Sequence, residues 1–182
     1  MRKLQNSELG RLSPEEFALA EKLPVWVILD NVRSLQNIGS IFRTTDAFGL
    51  AGIILCGISA TPPHREIHRT ALGSEDAVAW KYFEHTMEAV HFLKTEGYAI
   101  IAIEQAEGSI SLADFKGQDF KKIALVFGNE IDGVSQEVMD VVDACIEIPQ
   151  FGTKHSINVA VSAGIVIWQM SVEFIRLKAE GY

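Results

Sequence analysis

The sequence predicts an α/β protein with a mostly parallel sheet flanked by helices. Short apolar runs of strand length alternate with segments of helical periodicity over most of the 182 residues. A short, unbroken apolar run indicates a strand that is buried on both faces, as in parallel sheets whose connections are helices. A hydrophobic fraction of 48% is enough to fill one sizeable core.

Six strands and four main helices are expected in this domain. The predicted strands cover residues 25–30, 52–57, 79–83, 98–104, 123–127 and 144–148. The predicted helices cover residues 38–48, 86–96, 135–141 and 158–178. Residues 58–75 are expected to hold a short basic helix, and residues 106–120 to form a loop.

The chain divides into an N-terminal extension, residues 1–22, and one domain, residues 23–182. Within the extension, Ser13 followed by Pro14 is typical of a helix start. The extension lacks the apolar core of a signal peptide, and Gly and Ser interrupt the most apolar later stretch. We therefore expect a cytoplasmic protein without a membrane partner.

The distribution of charge and cysteine restricts the function classes. The net charge is −8, but residues 31–74 hold four Arg against two acidic residues, whereas residues 75–147 hold five Lys against fifteen. A local basic surface on an acidic body is one interpretation, and solvated faces of mixed sign are the other. Cys56 and Cys145 lie inside apolar runs, which is typical of core thiols in a reducing compartment.

The last predicted helix is apolar on almost all sides. Between residues 159 and 172 its only polar side chains are Ser162, Gln169 and Ser171. Such a helix must be buried on nearly all sides. It either packs against a second copy of the chain, which we favour, or lies within the core of one copy.

A polar loop, residues 31–37, follows the first predicted strand and leads into a helix that carries Arg43. Helical side chains lean towards the N-terminus, so Arg43 is expected to cross Gly39 and Ser40 and reach this loop. Ligands of α/β sheets bind at the carboxyl ends of the strands. The alternatives are a surface ion pair for Arg43 and a helix cap for Asn37.

A second polar loop follows the strand at 123–127. Gly128 and Gly133 flank Glu130, and two glycines in one turn indicate a positive φ or the close approach of backbone to a ligand. The loop lacks the Lys-Ser/Thr pair of a Walker motif and has no GxGxxG fingerprint.

Two further polar segments are candidates for binding. The loop after residue 148 carries Lys154 and His155, and Ser156 and Asn158 then open the last helix, where such residues are usually caps. Residues 64–69 place His64 and His68, and Arg65 and Arg69, at helical i,i+4 spacing. This basic ridge suits phosphate, although a solvated helix face is equally compatible, and HREIH is not the zinc motif HExxH.

Taken together, these segments resemble the SpoU/TrmH-type branch of the SPOUT RNA methyltransferases. The resemblance rests on three motifs in order: N-x-G-x-I-x-R at 37–43, F-G-N-E-x-x-G at 127–133, and I-P-x-x-G with S-x-N-V-A-V-S-A at 148–163. It covers roughly residues 24 to 178. Each motif alone is modest, but the three at these separations are specific.

The resemblance implies a trefoil knot in the C-terminal part, S-adenosylmethionine as cofactor, and a homodimer formed through the C-terminal helix with the site near the interface. The implied reaction is methyl transfer to a ribose 2′-hydroxyl of tRNA or rRNA. About twenty residues precede the core, which favours a compact substrate such as tRNA. The alternative is a SPOUT-like module that binds RNA or cofactor without catalysis. A third class, a small dehydrogenase, is disfavoured because the chain lacks the glycine fingerprint of such enzymes.

The resemblance also assigns residues. The catalytic group comprises Asn37, Arg43, Glu130, Ser156 and Asn158. The cofactor is expected to contact Phe127, Gly128, Asn129, Gly133, Ile148, Pro149, Gly152, Ser156 and Ile157. RNA is expected to contact Arg33, His64, Arg65, His68, Arg69 and Lys154, and no metal is expected.

Overall fold

A computed structural model describes residues 1–117 and 120–180. Seven strands form one sheet in which every hydrogen-bonded pair is parallel, in the order β3-β2-β1-β6-β4-β7-β5. The strands are β1 Leu23–Asp30, β2 Leu50–Cys56, β3 Trp80–Phe83, β4 Ala99–Ile103, β5 Ile110–Ser111, β6 Ile123–Phe127 and β7 Ala144–Glu147.

Helices cover both faces of this sheet. They are α1 Pro14–Leu19, α2 Leu35–Ala47, α3 Arg65–Ala71, α4 Ser74–Ala77, α5 Thr86–Thr95, α6 Gln136–Met139 and α7 Val159–Glu180. The start predicted for α1 is confirmed, because Ser13 and Glu16 each bond to the other's backbone N–H in a capping box.

The core consists of two layers because side chains of a strand alternate between its faces. Val27 and Leu29 belong to the cluster that packs against α2 and α7. Ile28 and Val126 belong to the opposite cluster, against α5 and α6. Helices on both faces leave the central strands buried on both sides, which explains their unbroken apolar runs.

The predicted parallel α/β sheet is confirmed, with six strands at the expected places. The region 106–120, expected to be a loop, contains β5 as well, and α4 follows α3. A two-residue edge strand and a four-residue helix are too short to leave a periodic pattern. The order of strands does not test the knot, which stays a prediction, as does the division of the chain at residue 23.

Helix α7 is buried on one side only within the chain. Its inner side places Val166 and Met170 in the core, but its outer side is exposed. The expectation of burial on nearly all sides therefore fails for a single copy. By length and composition alone, α7 is also apolar enough to cross a membrane. The exposed side carries a stripe at helical spacing: Val161, Ile165, Trp168, Val172 and Ile175.

Candidate functional site

Four loops meet at the carboxyl edge of the sheet. The register aligns Phe127 of β6 with Leu29 of β1 and with Ile103 of β4, and Ile103 in turn with Ile146 of β7. The segments that follow these residues are therefore neighbours in space. The segments that follow β4, β6 and β7 line a cavity of about 790 Å³, within the range of about 300–1,000 Å³ of small-molecule sites.

Most of the residues predicted for cofactor binding line this cavity. Pro149 and Gly152 do not line it; beyond Ile148, the lining includes Gln150 and the run from His155 to Val159. Within the described residues, no group of three or more His, Cys, Asp or Glu side chains is arranged for a metal. The lining includes Phe127, Gly128, Asn129, Gly133, Ile148, Ser156 and Ile157, with Glu130 and Asn158 from the catalytic group.

The loop after β6 is closed by its own hydrogen bonds. Asn129 and Gly133 exchange backbone bonds of 3.2 and 3.1 Å, and the Asn129 side-chain oxygen accepts from the N–H groups of Ile131 and Asp132. Gly133 has φ +70°, which favours glycine. A Cβ on Gly128 would overlap the backbone of Gly133 and its successor. Both glycines are therefore needed by the loop itself.

A network of three side chains lies at the cavity rim. Asn37 donates from Nδ2 to Glu130 Oε1 at 2.8 Å, and Asn158 donates from Nδ2 to Asn37 Oδ1 at 3.2 Å. Ser34, rather than Asn37, caps α2, which leaves the Asn37 side chain available. Asn158 Oδ1 also accepts from the N–H of Ala160 at 3.0 Å, so Asn158 both caps α7 and joins the network.

Glu130 is the anionic member of the network. Burial opposes its ionisation, but hydrogen bonds from its own backbone, from the Asn37 side chain and from the backbone of Arg33 and Ser34 outweigh that effect, so its pKa is lowered. The carboxylate therefore stays charged at neutral pH. A carboxylate with a lowered pKa is a good hydrogen-bond acceptor but a weak general base.

Among the described residues, no hydrogen bond joins Arg43 to this network. Gly39, which was expected to leave room for Arg43, is buried against Ile67 and Thr70 of α3, where a Cβ would clash. Arg43 is exposed and lines a second cavity of about 500 Å³, together with Arg69 and Thr70. In the described part of the chain, no hydrogen bond joins Arg43 to the loop at 31–37, and its reach to that loop stays a prediction.

The basic ridge on α3 is partly used within the fold. His64 caps the helix by accepting from the N–H of Glu66 at 3.2 Å. His68 Nδ1 lies 2.5 Å from Oε1 of the buried Glu75, and Arg69 lies 3.7 Å from Glu66.

The remaining cationic side chains predicted for RNA are at the surface. Arg33, Arg65 and Lys154 are all exposed. Their charges are therefore available to a ligand in solvent.

Glu104 and Gln105 are among the cavity residues that were missed in the sequence. Glu104 accepts from the N–H of Val134 at 3.1 Å and from that of Gln105 at 2.8 Å. Gln105 donates to the carbonyl of His155 at 2.6 Å and so ties two loops together. The signal in the sequence was Glu104, an acidic residue at the end of the apolar run YAIIAIE. The sequence analysis placed this residue in the predicted strand and not at the site.

Comparison with known proteins agrees with this arrangement. A sequence model of the SpoU rRNA Methylase family matches residues 24–168. The chain belongs to this family. The resemblance seen in the sequence is therefore confirmed.

Among relatives of this SpoU methylase is a tRNA (guanosine(18)-2′-O)-methyltransferase of Thermus thermophilus, 31% identical over 179 residues, which are 98% of this chain and 89% of the relative. A 23S rRNA (adenosine(1067)-2′-O)-methyltransferase of Streptomyces laurentii is 34% identical over 142 residues, 78% of this chain and 52% of that protein. The AdoMet-bound rRNA methyltransferase of Sinorhizobium meliloti superposes with a TM-score of 0.76 at 31% identity, covering 87% of this chain and 60% of its own.

Proposed function

We propose that this SpoU methylase transfers the methyl group of S-adenosylmethionine to a ribose 2′-hydroxyl of tRNA or rRNA. The single observation that carries the proposal is the network of Asn37, Glu130 and Asn158. One residue of each family motif contributes to it, although they are up to 121 positions apart, and it borders a cavity of ligand size.

The large cavity suits the cofactor in charge and in shape. Glu104, Glu130 and Asp132 bring carboxylates to a lining that also has apolar side chains and glycine backbone. A sulfonium carries a positive charge, which these carboxylates attract. When bound, S-adenosylmethionine supplies a methyl group that is already electrophilic, so the chain has to supply only binding, orientation and a route for a proton.

The chain's own residues position the hydroxyl. Glu130 is ionised and fixed by Asn37, so it orients hydrogen-bond donors rather than removing a proton. The guanidinium of Arg43 serves as a cation for an RNA phosphate, with Arg69 in the same cavity. The proton of the hydroxyl then passes to a phosphate oxygen or to water. Ser156 lines the cofactor cavity beside Asn158.

RNA is proposed to bind at the carboxyl edge of the sheet. Arg33, Arg65 and Lys154 are exposed cations in the segments that follow β1, β2 and β7, and His64, His68 and Arg69 add partly paired groups. Because counterions are released as phosphates bind, affinity should fall steeply with salt. Neutralising Arg65 and Arg69 together should make the dependence on salt shallower by about two in the logarithmic slope.

The outer side of α7 supports a homodimer. Trp168 is 57% exposed and its ring packs edge-on against Phe48, with 5.8 Å between centroids. A contiguous apolar stripe of this length on a helix is typical of an interface. Sedimentation of the wild type and of Trp168→Glu tests the dimer; equal masses of the two proteins at every concentration would exclude this interface.

Since tRNA and rRNA are cytoplasmic and both thiols are free, we place the enzyme in the cytoplasm.

The decisive test is methyl transfer from labelled S-adenosylmethionine to total RNA of a strain that lacks the gene. The wild type should label one nucleotide, mapped by resistance of its 2′-O-methyl linkage to alkaline hydrolysis. Glu130→Gln and Arg43→Ala should reduce the rate, while Arg11→Ala, an exposed change in the extension, is the control. RNA binding without transfer by the wild type would instead support the non-catalytic module.

A further inference from the structure

Two apolar side chains stand exposed at the rim of the large cavity. Phe151 has 97% of its surface exposed and Ile131 has 70%. They belong to the two loops that border the cavity after β7 and β6. A phenylalanine so fully exposed gains nothing from the hydrophobic effect within the chain, so its presence at the mouth of a binding site points to a ligand.

The loop that carries Phe151 is joined at both ends to the lining of the cavity. On either side of its tip, Gln150 and His155 line the cavity, and Gln105 donates to the carbonyl of His155 at 2.6 Å. At the tip, a Cβ on Gly152 would meet no atom within 4 Å. The tip, residues 151–154, is therefore an exposed projection fixed at its base.

The chemistry of the proposed reaction places a base next to this tip. In a nucleotide the base is attached to C1′ of the ribose, adjacent to the C2′ hydroxyl that accepts the methyl group. A ribose presented to the network at Glu130 and Asn158 therefore carries its base to the cavity mouth. Unpaired RNA bases stack on aromatic side chains, and Lys154 on the same tip offers a cation for the neighbouring phosphate.

We propose that Phe151 is the stacking platform for the target nucleobase, with Ile131 contacting that base from the opposite rim. The inference rests on the proposed methyl transfer to RNA. Because every base has a face that can stack, Phe151 contributes affinity without selecting the base. Hydrogen-bonding groups elsewhere must make that selection.

Steady-state kinetics of methyl transfer test this role. Phe151→Ala should raise KM for RNA by about 5- to 150-fold, which is the range of base–aromatic stacking. The value of kcat should stay within about twofold, because stacking stabilises the bound substrate and the transition state equally. Phe151→Trp should keep the wild-type KM. Binding of S-adenosylhomocysteine by calorimetry should be unchanged in both variants.

A matched variant on the same tip separates stacking from charge. Lys154→Ala should reduce the logarithmic salt slope of RNA binding by about one, whereas Phe151→Ala should leave the slope unchanged. Ultraviolet crosslinking of wild-type protein to RNA should join Phe151 to the nucleotide that becomes methylated. A crosslink only at other residues would overturn the proposal.

The outcomes also distinguish a failure of the stacking role from a failure of the proposed methyl transfer. Normal kinetics for Phe151→Ala beside an active wild type would overturn the stacking role and keep the methyltransferase. A wild type that transfers no methyl group to any RNA would overturn both. Conversion of a dimer to a monomer by Phe151→Ala in sedimentation would show that a second copy covers this side chain, and would also overturn the proposal.

Discussion

Asn158 has two separable roles in the structure, and substitutions can test them independently. Its Oδ1 caps α7 through the N–H of Ala160 at 3.0 Å, and its Nδ2 donates to Asn37 at 3.2 Å. Asn158→Ala removes both contacts. Asn158→Ser keeps a capping oxygen but is too short to replace the amide donor. Stability should therefore follow the cap, and activity should follow the amide.

The expected magnitudes follow from these two contacts. Loss of a cap destabilises by about 1 kcal/mol, within a range of about 0.5–2. For a chain of this size, that lowers Tm by about 2–4 °C. Asn158→Ser should stay within about 1 °C of the wild type. Both variants should lose about 10- to 100-fold in methyl transfer, because Asn37 and Glu130 lose their alignment with the cavity.

Thermal unfolding at one fixed protein concentration measures the first effect, since association also changes Tm. Initial rates with labelled cofactor measure the second. Equal Tm values for the Ala and Ser variants would show that the cap contributes nothing. Wild-type rates for Asn158→Ser would show that the bond to Asn37 is not needed, and would remove the network as the basis of the site.

Three further results are expected. Gly128→Ala should lower the free energy of unfolding in urea by about 1–3 kcal/mol, because its Cβ would overlap the backbone after Asp132. Gly152→Ala, whose Cβ would meet no atom within 4 Å, should leave the stability unchanged. Equal effects of the two substitutions would contradict the close packing of the loop. Burial raises the pKa of the Cys56 thiol to about 12, so this thiol should not react with a disulfide reagent at pH 8 until urea is added. Because the pKa of Glu130 is lowered, its contribution to stability is complete above the unfolded carboxyl pKa, about 4.3, and is lost as the pH falls below it. The difference in Tm between wild type and Glu130→Gln should therefore be constant from about pH 6 to 8 and shrink below about pH 4; a difference that changes between pH 6 and 8 would contradict this.

The sequence predicted the sheet because burial on both faces leaves a pattern in the chain itself. The run IALVF is apolar at every position, and β6 is buried at every position. The fold class, the cofactor and the RNA methyltransferase activity expected from the three motifs are confirmed by the family and its relatives. The roles of individual residues stay predictions, although most of the predicted lining faces one cavity.

The packing of α3 beside Gly39 was not predictable from the sequence because it is a contact between helices. Local geometry predicts the direction in which the Arg43 side chain points along α2, but not which neighbour packs against Gly39. That neighbour is Thr70 of α3, some thirty positions away. Glu104 was missed for a similar reason, since an acidic residue at a strand end looks the same whether it faces solvent or bonds Val134. Both contacts are set by tertiary packing, which leaves no pattern in the local sequence.

Two of the three residues of the proposed catalytic network lie at the starts of helices that also carry the surfaces proposed for phosphate and for a second copy. Asn37 and Asn158 lie at or beside the N-terminal ends of α2 and α7, where they bond each other. Further along, α2 places Arg43 at the cavity that we propose for phosphate, and α7 places Trp168 beside Phe48. Because α2 and α7 pack directly together, a partner that covers the outer stripe of α7 would also fix the helices that align the network. A variant that weakens the proposed dimer should therefore lose methyl transfer before it loses cofactor binding, since the cavity is built mainly from the loops after β4, β6 and β7.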